Sequence, residues 1–121
     1  MRTTIIAGAR PNFIKVAPVI HAIRKAQLAG SDIYFRLVHT GQHYDPKMSA
    51  TFFTELNIPS PDINLECGGG TQAEQTAAIM IAFEKELKAN PTDLVIVVGD
   101  VTSSMACSIV AKKLNTKVAH I

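Results

Sequence analysis

No run of the chain approaches the length of a membrane span, so a membrane-spanning helix is not expected. The first residues lack the make-up of a signal peptide. Only Arg2 precedes a short apolar run, and a polar segment follows at once. A cytoplasmic location is the expectation that follows. Charge of one sign is also missing. Twelve basic and 10 acidic side chains leave a formal net charge of +2. That balance gives no bulk attraction to nucleic acid or to a membrane surface, so any anion recognition has to come from particular residues. Cysteine is scarce. Cys67 and Cys107 stand 40 positions apart without CxxC spacing, which excludes a disulfide or metal framework by pattern and predicts buried free thiols in a reducing compartment. Neither GxxxxGK[ST] nor GxGxxG occurs, so ATP hydrolysis and dinucleotide binding lack their phosphate-binding loops. Internal repeats and low-complexity tracts are absent as well.

What is present is enough apolar sequence for a core. Of the 121 residues 47% are hydrophobic and 18% charged, the composition of one folded domain. Thr3–Ala7 is a short run rich in β-branched residues ending at Gly8, which predicts a buried strand feeding a tight turn. Asn12 is expected to cap the helix after Pro11. Phe13, Val16, Ile20 and Ile23 fall on one helical face, and Pro18 should end the first turn or kink it. Ile33–Val38 predicts the second strand. Helix 47–56 should turn Met48, Phe52, Phe53 and Leu56 inward, and Leu65 could open a short extended piece.

Thr71 and Glu74 form a capping box at the head of a long helix that Asn90 and Pro91 end. Its buried side is expected to carry Ala78, Ile81 and Leu87. Leu94–Val98 is nearly continuous in apolar residues, as a parallel strand covered on both faces should be. Helix 102–114 and the strand Lys117–Ile121, read as buried, complete the order. Strands alternating with helices predict an α/β fold with a doubly wound parallel sheet.

Such sheets bind ligands beyond the carboxyl ends of their strands. Gly8-Ala9-Arg10-Pro11-Asn12, His39-Thr40-Gly41-Gln42-His43, Gly99-Asp100-Val101-Thr102-Ser103-Ser104 and His120 should therefore share one rim. Gly8 lets the backbone approach a ligand closely. The helix start beside it offers free N–H groups, and Arg10 a planar fork, for phosphate oxygens; Lys15 could reach back from one turn on. Gly68-Gly69-Gly70 has no basic neighbour and reads as a linker. Asp100 has two readings that spacing does not separate. It is an acid–base group at a strand end, or it caps the next helix through the N–H groups of Thr102 or Ser103. His39, His43 and His120 lie on separate segments, a weak pattern for a metal, and none is expected.

Four segments in register carry a resemblance. GARPNFIKVAP resembles the GTRPExIKxAP opening of non-hydrolysing UDP-N-acetylglucosamine 2-epimerases, and HTGQH resembles their TAQH. DLVIVVGDVTSS resembles DxVLVHGDTTT, and KVAHI resembles PVGHV, which continues there into Glu-Ala-Gly. The resemblance implies the N-terminal half of a two-domain fold of the glycosyltransferase-B type. Residues 1–121 would be most of one Rossmann-like domain, without turnover alone, and the active site would lie in the cleft between domains.

It further implies interconversion of UDP-N-acetylglucosamine and UDP-N-acetylmannosamine by elimination and re-addition of UDP, with no cofactor and no metal. Homodimers and a role in cell-envelope polysaccharide synthesis are also implied. Carried onto this sequence, Asp100 is the acid–base residue and Arg10 and Lys15 bind substrate. Gln42 and His43 of HTGQH are substrate-binding too, Gln42 matching part of a second, activating sugar-nucleotide site. Two positions depart from the pattern: Asn12 replaces a glutamate and Val98 a histidine. The hydrolysing branch, with Gly-Asp-Arg, fits less well than Gly99-Asp100-Val101. A glycosyltransferase of the same fold and a non-catalytic nucleotide-binding module are the rival readings.

Overall fold

The computed structural model describes residues 1–42 and 48–121. Five strands, β1 (Arg2–Ala7), β2 (Tyr34–His39), β3 (Ile63–Asn64), β4 (Leu94–Val97) and β5 (Lys117–His120), form one sheet. Among the described residues four helices connect them: α1 (Arg10–Leu28), α2 (Ala50–Glu55), α3 (Gln72–Ala89) and α4 (Thr102–Lys113). The spatial order is β3-β2-β1-β4-β5, and every pairing is parallel. This is the doubly wound sheet expected from the sequence. The chain moves outward from β1 through β2 to β3, then returns to lay β4 on the other side of β1. That reversal opens a crevice between the carboxyl ends of β1 and β4, where sheets of this kind take their ligands.

The period-two alternation of the strands divides the core into two layers. Ile5, Leu37, Ile96 and Val98 pack with Phe13, Val16 and Ile20 of α1 and with Phe52 and Phe53 of α2. Ile6, Val38, Val95 and Val97 face the other way, onto Ile79 and Phe83 of α3 and Cys107 and Val110 of α4. Edge-to-face contacts join Phe13 to Phe53 at 5.1 Å and to Phe52 at 6.4 Å between ring centroids. Both cysteines are free and buried, and burial raises the pKa of each thiol.

Several local expectations change. The N-cap of α1 is Ala9, which has no side-chain oxygen to offer, and Asn12 is the third helical residue. Asn12 reaches back to the turn instead of capping the helix from in front. The helix continues through Pro18 to Leu28, because the flanking face of Phe13, Val16, Ala17, Ile20 and Ile23 is buried and holds it. Helix α2 spans only Ala50–Glu55, and the extended piece sits at Ile63–Asn64, just before Leu65.

On α3 the buried face is Ile79, Phe83, Glu86 and Leu87; Ala78 and Ile81 are exposed. The apolar stripe is rotated because Arg36 on β2 draws Glu86 inward, with Nε to Oε2 at 2.9 Å and Nη2 to Oε1 at 3.0 Å. The capping box at Thr71 forms as expected: Glu74 N–H donates to Thr71 Oγ1 at 3.1 Å, and Thr71 N–H to Glu74 Oε1 at 3.0 Å. The hydrogen bonds from Thr71 hold the Glu74 carboxyl below its usual pKa. Strand β5 is partly exposed at the sheet's edge rather than buried. Among the described residues no helix is long and apolar enough to cross a membrane.

Candidate active site

Because all five strands run parallel, the segments after β1, β2, β4 and β5 meet at one rim. The turn after β1 is built by Asn12. Its Oδ1 accepts the N–H of Gly8 at 2.9 Å and of Ala9 at 3.1 Å, while its own backbone N–H donates to Ala9 O at 2.9 Å. Gly8 lies against Thr40 and Ser103. A Cβ there would come within 2.8 Å of Thr40 Oγ1 and closer still to Ser103 Oγ, so no other residue fits without a shift. Arg10, the first residue of α1, is exposed, with its guanidinium carbon 5.1 Å from the Phe52 ring centroid. Lys15 is exposed further along the helix.

After β2, the loop turns inward. His39 packs edge-on against Phe13 at 5.2 Å between centroids. Its Nδ1 lies 3.2 Å from Gly41 N and 3.3 Å from Ala7 O. A bare Nδ1 accepts from Gly41, whereas a protonated one donates to Ala7, so one proton decides between the two partners. Burial lowers the His39 pKa, and the Ala7 carbonyl opposes this more weakly.

Gln42 is buried, and its Oε1 accepts the Ser103 N–H at 2.9 Å and the Ser103 hydroxyl at 2.5 Å. Thr40 Oγ1 is 2.6 Å from Ser103 Oγ, and Gln75 Nε2 donates to the Gln42 carbonyl at 3.1 Å. His43 lies outside the described residues.

This knot separates the two readings of Asp100. Helix α4 has Val101 as its N-cap, with no side-chain cap from that residue, and the Ser103 N–H is taken by Gln42 from across the rim. Asp100 therefore does not cap the helix. It is exposed in the turn after β4, and its carboxylate has no hydrogen-bond or ion-pair partner among the described residues. Gly99, in the left-handed region at φ 65°, allows that turn. The Gly99 N–H donates to Ile121 O at 3.1 Å, and its carbonyl accepts from His120 Nε2 at 2.6 Å. The Ser104 hydroxyl donates to the Val98 carbonyl. Asp100, Val101, Ser104 and His120 line one open cavity of about 310 Å³. Asn12 reaches this side too: its Nδ2 is 3.8 Å from where a Cβ on Gly99 would sit.

The rim thus gathers Gly8, Asn12, Thr40, Gln42, Gly99 and Ser103 tightly, and leaves Arg10, Lys15 and Asp100 facing outward. Among the described residues, His39 and His120 are not brought together as a site. His39 is buried at the end of β2, and His120 is turned to a backbone carbonyl. Among the described residues no three His, Cys, Asp or Glu side chains cluster for a metal ion. Sequence reasoning missed the Thr40–Ser103 contact and the inward turn of Gln42. The available signal was a small hydroxyl residue soon after each of the two strands that flank β1.

Known proteins share this fold. A profile of the UDP-N-acetylglucosamine 2-epimerase family matches residues 25–121. The UDP-N-acetylglucosamine 2-epimerase of Methanocaldococcus jannaschii is 42% identical over 121 residues, covering all of this chain and 32% of the relative. The UDP-2,3-diacetamido-2,3-dideoxy-D-glucuronate 2-epimerase of Pseudomonas aeruginosa is 40% identical over 121 residues, covering all of this chain and 33% of that protein. A crystal structure of the M. jannaschii enzyme in complex with UDP-GlcNAc and UDP superposes with a TM-score of 0.90 at 42% identity, over all of this chain and 32% of that one. The chain therefore spans about a third of the length of the relatives it matches. With its sheet order, its rim motifs and these similarities in agreement, the chain belongs to the UDP-N-acetylglucosamine 2-epimerase family.

Proposed function

We propose that this chain is the N-terminal nucleotide-sugar domain of a non-hydrolysing epimerase that interconverts UDP-N-acetylglucosamine and UDP-N-acetylmannosamine. Residues 1–121 supply one wall of an inter-domain cleft, and the remainder of the active site comes from the rest of the protein. One observation carries the assignment of roles. Gln42 caps α4, which leaves the Asp100 carboxylate unengaged on the rim where the strand order reverses.

Epimerisation at C2 by elimination needs three things. C2 must lose its proton on one face and gain a solvent-exchanged one on the other, the C1–oxygen bond to UDP must break and re-form, and the departing diphosphate must be stabilised as charge develops on it. Asp100, exposed on this rim, takes the proton-transfer role in this reading. Arg10 and Lys15, both exposed near the start of α1, supply cations for the diphosphate, aided by the positive end of that 19-residue helix. Gln42 acts on substrate through its hold on α4, and His43, the next residue in sequence, remains a candidate contact.

We further propose a homodimer in the cytoplasm that serves cell-envelope polysaccharide synthesis. The test of the roles is Asp100→Asn in the full-length protein. Turnover should fall by about 10²- to 10⁴-fold, while UDP binding stays. Retained turnover removes Asp100 from the chemistry.

A further inference from the structure

The turn that carries Asp100 has little of its own to hold it. Gly99 stands in the left-handed region at φ 65°, where a residue without a side chain meets little resistance to rotation. The Asp100 carboxylate has no partner among the described residues, so its direction is set by its backbone. Both outside holds on Gly99 come from the end of β5. Its N–H donates to Ile121 O at 3.1 Å, and its carbonyl accepts from His120 Nε2 at 2.6 Å. That carbonyl belongs to the planar peptide group joining Gly99 to Asp100, which turns as a unit. Its rotation swings the Asp100 side chain, and the bond from His120 opposes that rotation. A carbonyl takes only a donor, so Nε2 carries the proton. His120 is opposite Val97 in the register of β4 and β5, on the sheet face that α3 and α4 cover, and it lines the same cavity as Asp100 and Ser104.

Resting on the reading of Asp100 as the acid–base group, we propose that His120 is a positioning residue for the epimerisation. Its Nε2–H fixes the plane of the Gly99–Asp100 peptide and so keeps the Asp100 carboxylate in its proton-transfer position. His120 acts through Asp100 and takes no part in the proton transfer itself. The remaining hold on the turn, from Ile121 O to the Gly99 N–H, lies on the other side of the Gly99 Cα and leaves this peptide free to turn. A reacting group misplaced by about 1 Å loses about a hundredfold in rate. A single hydrogen bond between strand end and turn therefore carries a large share of the rate without touching the sugar.

The test uses the full-length protein with UDP-N-acetylglucosamine. His120→Ala should lower kcat by roughly ten- to a hundredfold and change KM and UDP affinity by less than about threefold. His120→Gln, which carries an N–H at similar reach, should recover most of the loss. The effects should not add: in an Asp100→Asn background, His120→Ala should cost less than about threefold more. An unchanged kcat in His120→Ala, no recovery in His120→Gln, or the full further loss in the Asp100→Asn background overturns the inference and leaves the role of Asp100 standing. Turnover retained in Asp100→Asn overturns the reading of Asp100 and this inference with it. If His120→Ala does not fold, the wild-type ring decides by nitrogen-15 NMR. A proton on Nε2 supports the proposal, and a neutral ring protonated only at Nδ1 overturns it.

Discussion

Replacing Gln42 by alanine isolates the contact that organises the rim. The substitution removes the acceptor of the Ser103 N–H and one of two partners of the Ser103 hydroxyl, which keeps Thr40 Oγ1 at 2.6 Å. Ser103 is 1% exposed, so water does not take over the lost bond. A buried donor left unpaired costs about 1–3 kcal/mol. Loss of a helix cap alone costs about 1 kcal/mol. These are the same N–H group counted twice, so the expected loss is about 2 kcal/mol rather than their sum. It falls on the first turn of α4 and the Gly99–Asp100 turn before it.

Amide hydrogen exchange of the full-length protein, followed by mass spectrometry, reads this locally. Peptides covering the start of α4 should exchange about 30 times faster in Gln42→Ala. Those covering α1 should be unchanged. Gln42→Glu, which keeps an acceptor oxygen, should recover most of the protection. Unchanged exchange at Ser103 in Gln42→Ala would refute the claim that this side chain caps α4.

Two further outcomes follow from other buried polar groups. Arg36→Met removes the cation from the Glu86 carboxylate, whose side chain is 5% exposed and keeps only the hydrogen bond from Asn90 Nδ2 at 3.0 Å, while Arg36 itself is 32% exposed. The loss should be about 2–3 kcal/mol, below that of a fully buried pair, read as faster exchange at the C-terminal turn of α3. The double change Arg36→Met with Glu86→Leu should restore most of it. His39 supplies a pH dependence: burial depresses its folded pKa, so the unfolded chain takes up a proton first as pH falls. Its contribution is complete above about pH 6.5 and is lost below that, down to the folded pKa. Unfolding measured between pH 7 and 5 should show a shallower decline in His39→Asn than in wild type, and an identical slope contradicts the assignment.

The strands were legible because burial on two faces leaves an unmistakable apolar run, as in Leu94–Val98. The box of Thr71 and Glu74 was legible because capping is local. What the sequence hid is non-local. Asn12 looks like an N-cap until the backbone shows the helix beginning two residues earlier, at Arg10. The stripe on α3 could not be phased from α3 alone, since Arg36, 50 residues away, decides that Glu86 is inside. Asp100 illustrates the same limit at the site. Its spacing to Thr102 and Ser103 suits a cap, and only a glutamine arriving from the β2 loop shows that the cap is already taken. The rim as a place was readable from strand ends. Which of its residues face each other was not.

The most direct test of the account uses the full-length protein with UDP-N-acetylglucosamine in D2O, followed by proton NMR. The elimination mechanism predicts UDP-N-acetylmannosamine with deuterium at C2, and solvent deuterium at C2 of the recovered substrate as well. Free N-acetylmannosamine with UDP, or a sugar nucleotide left unchanged, would contradict it.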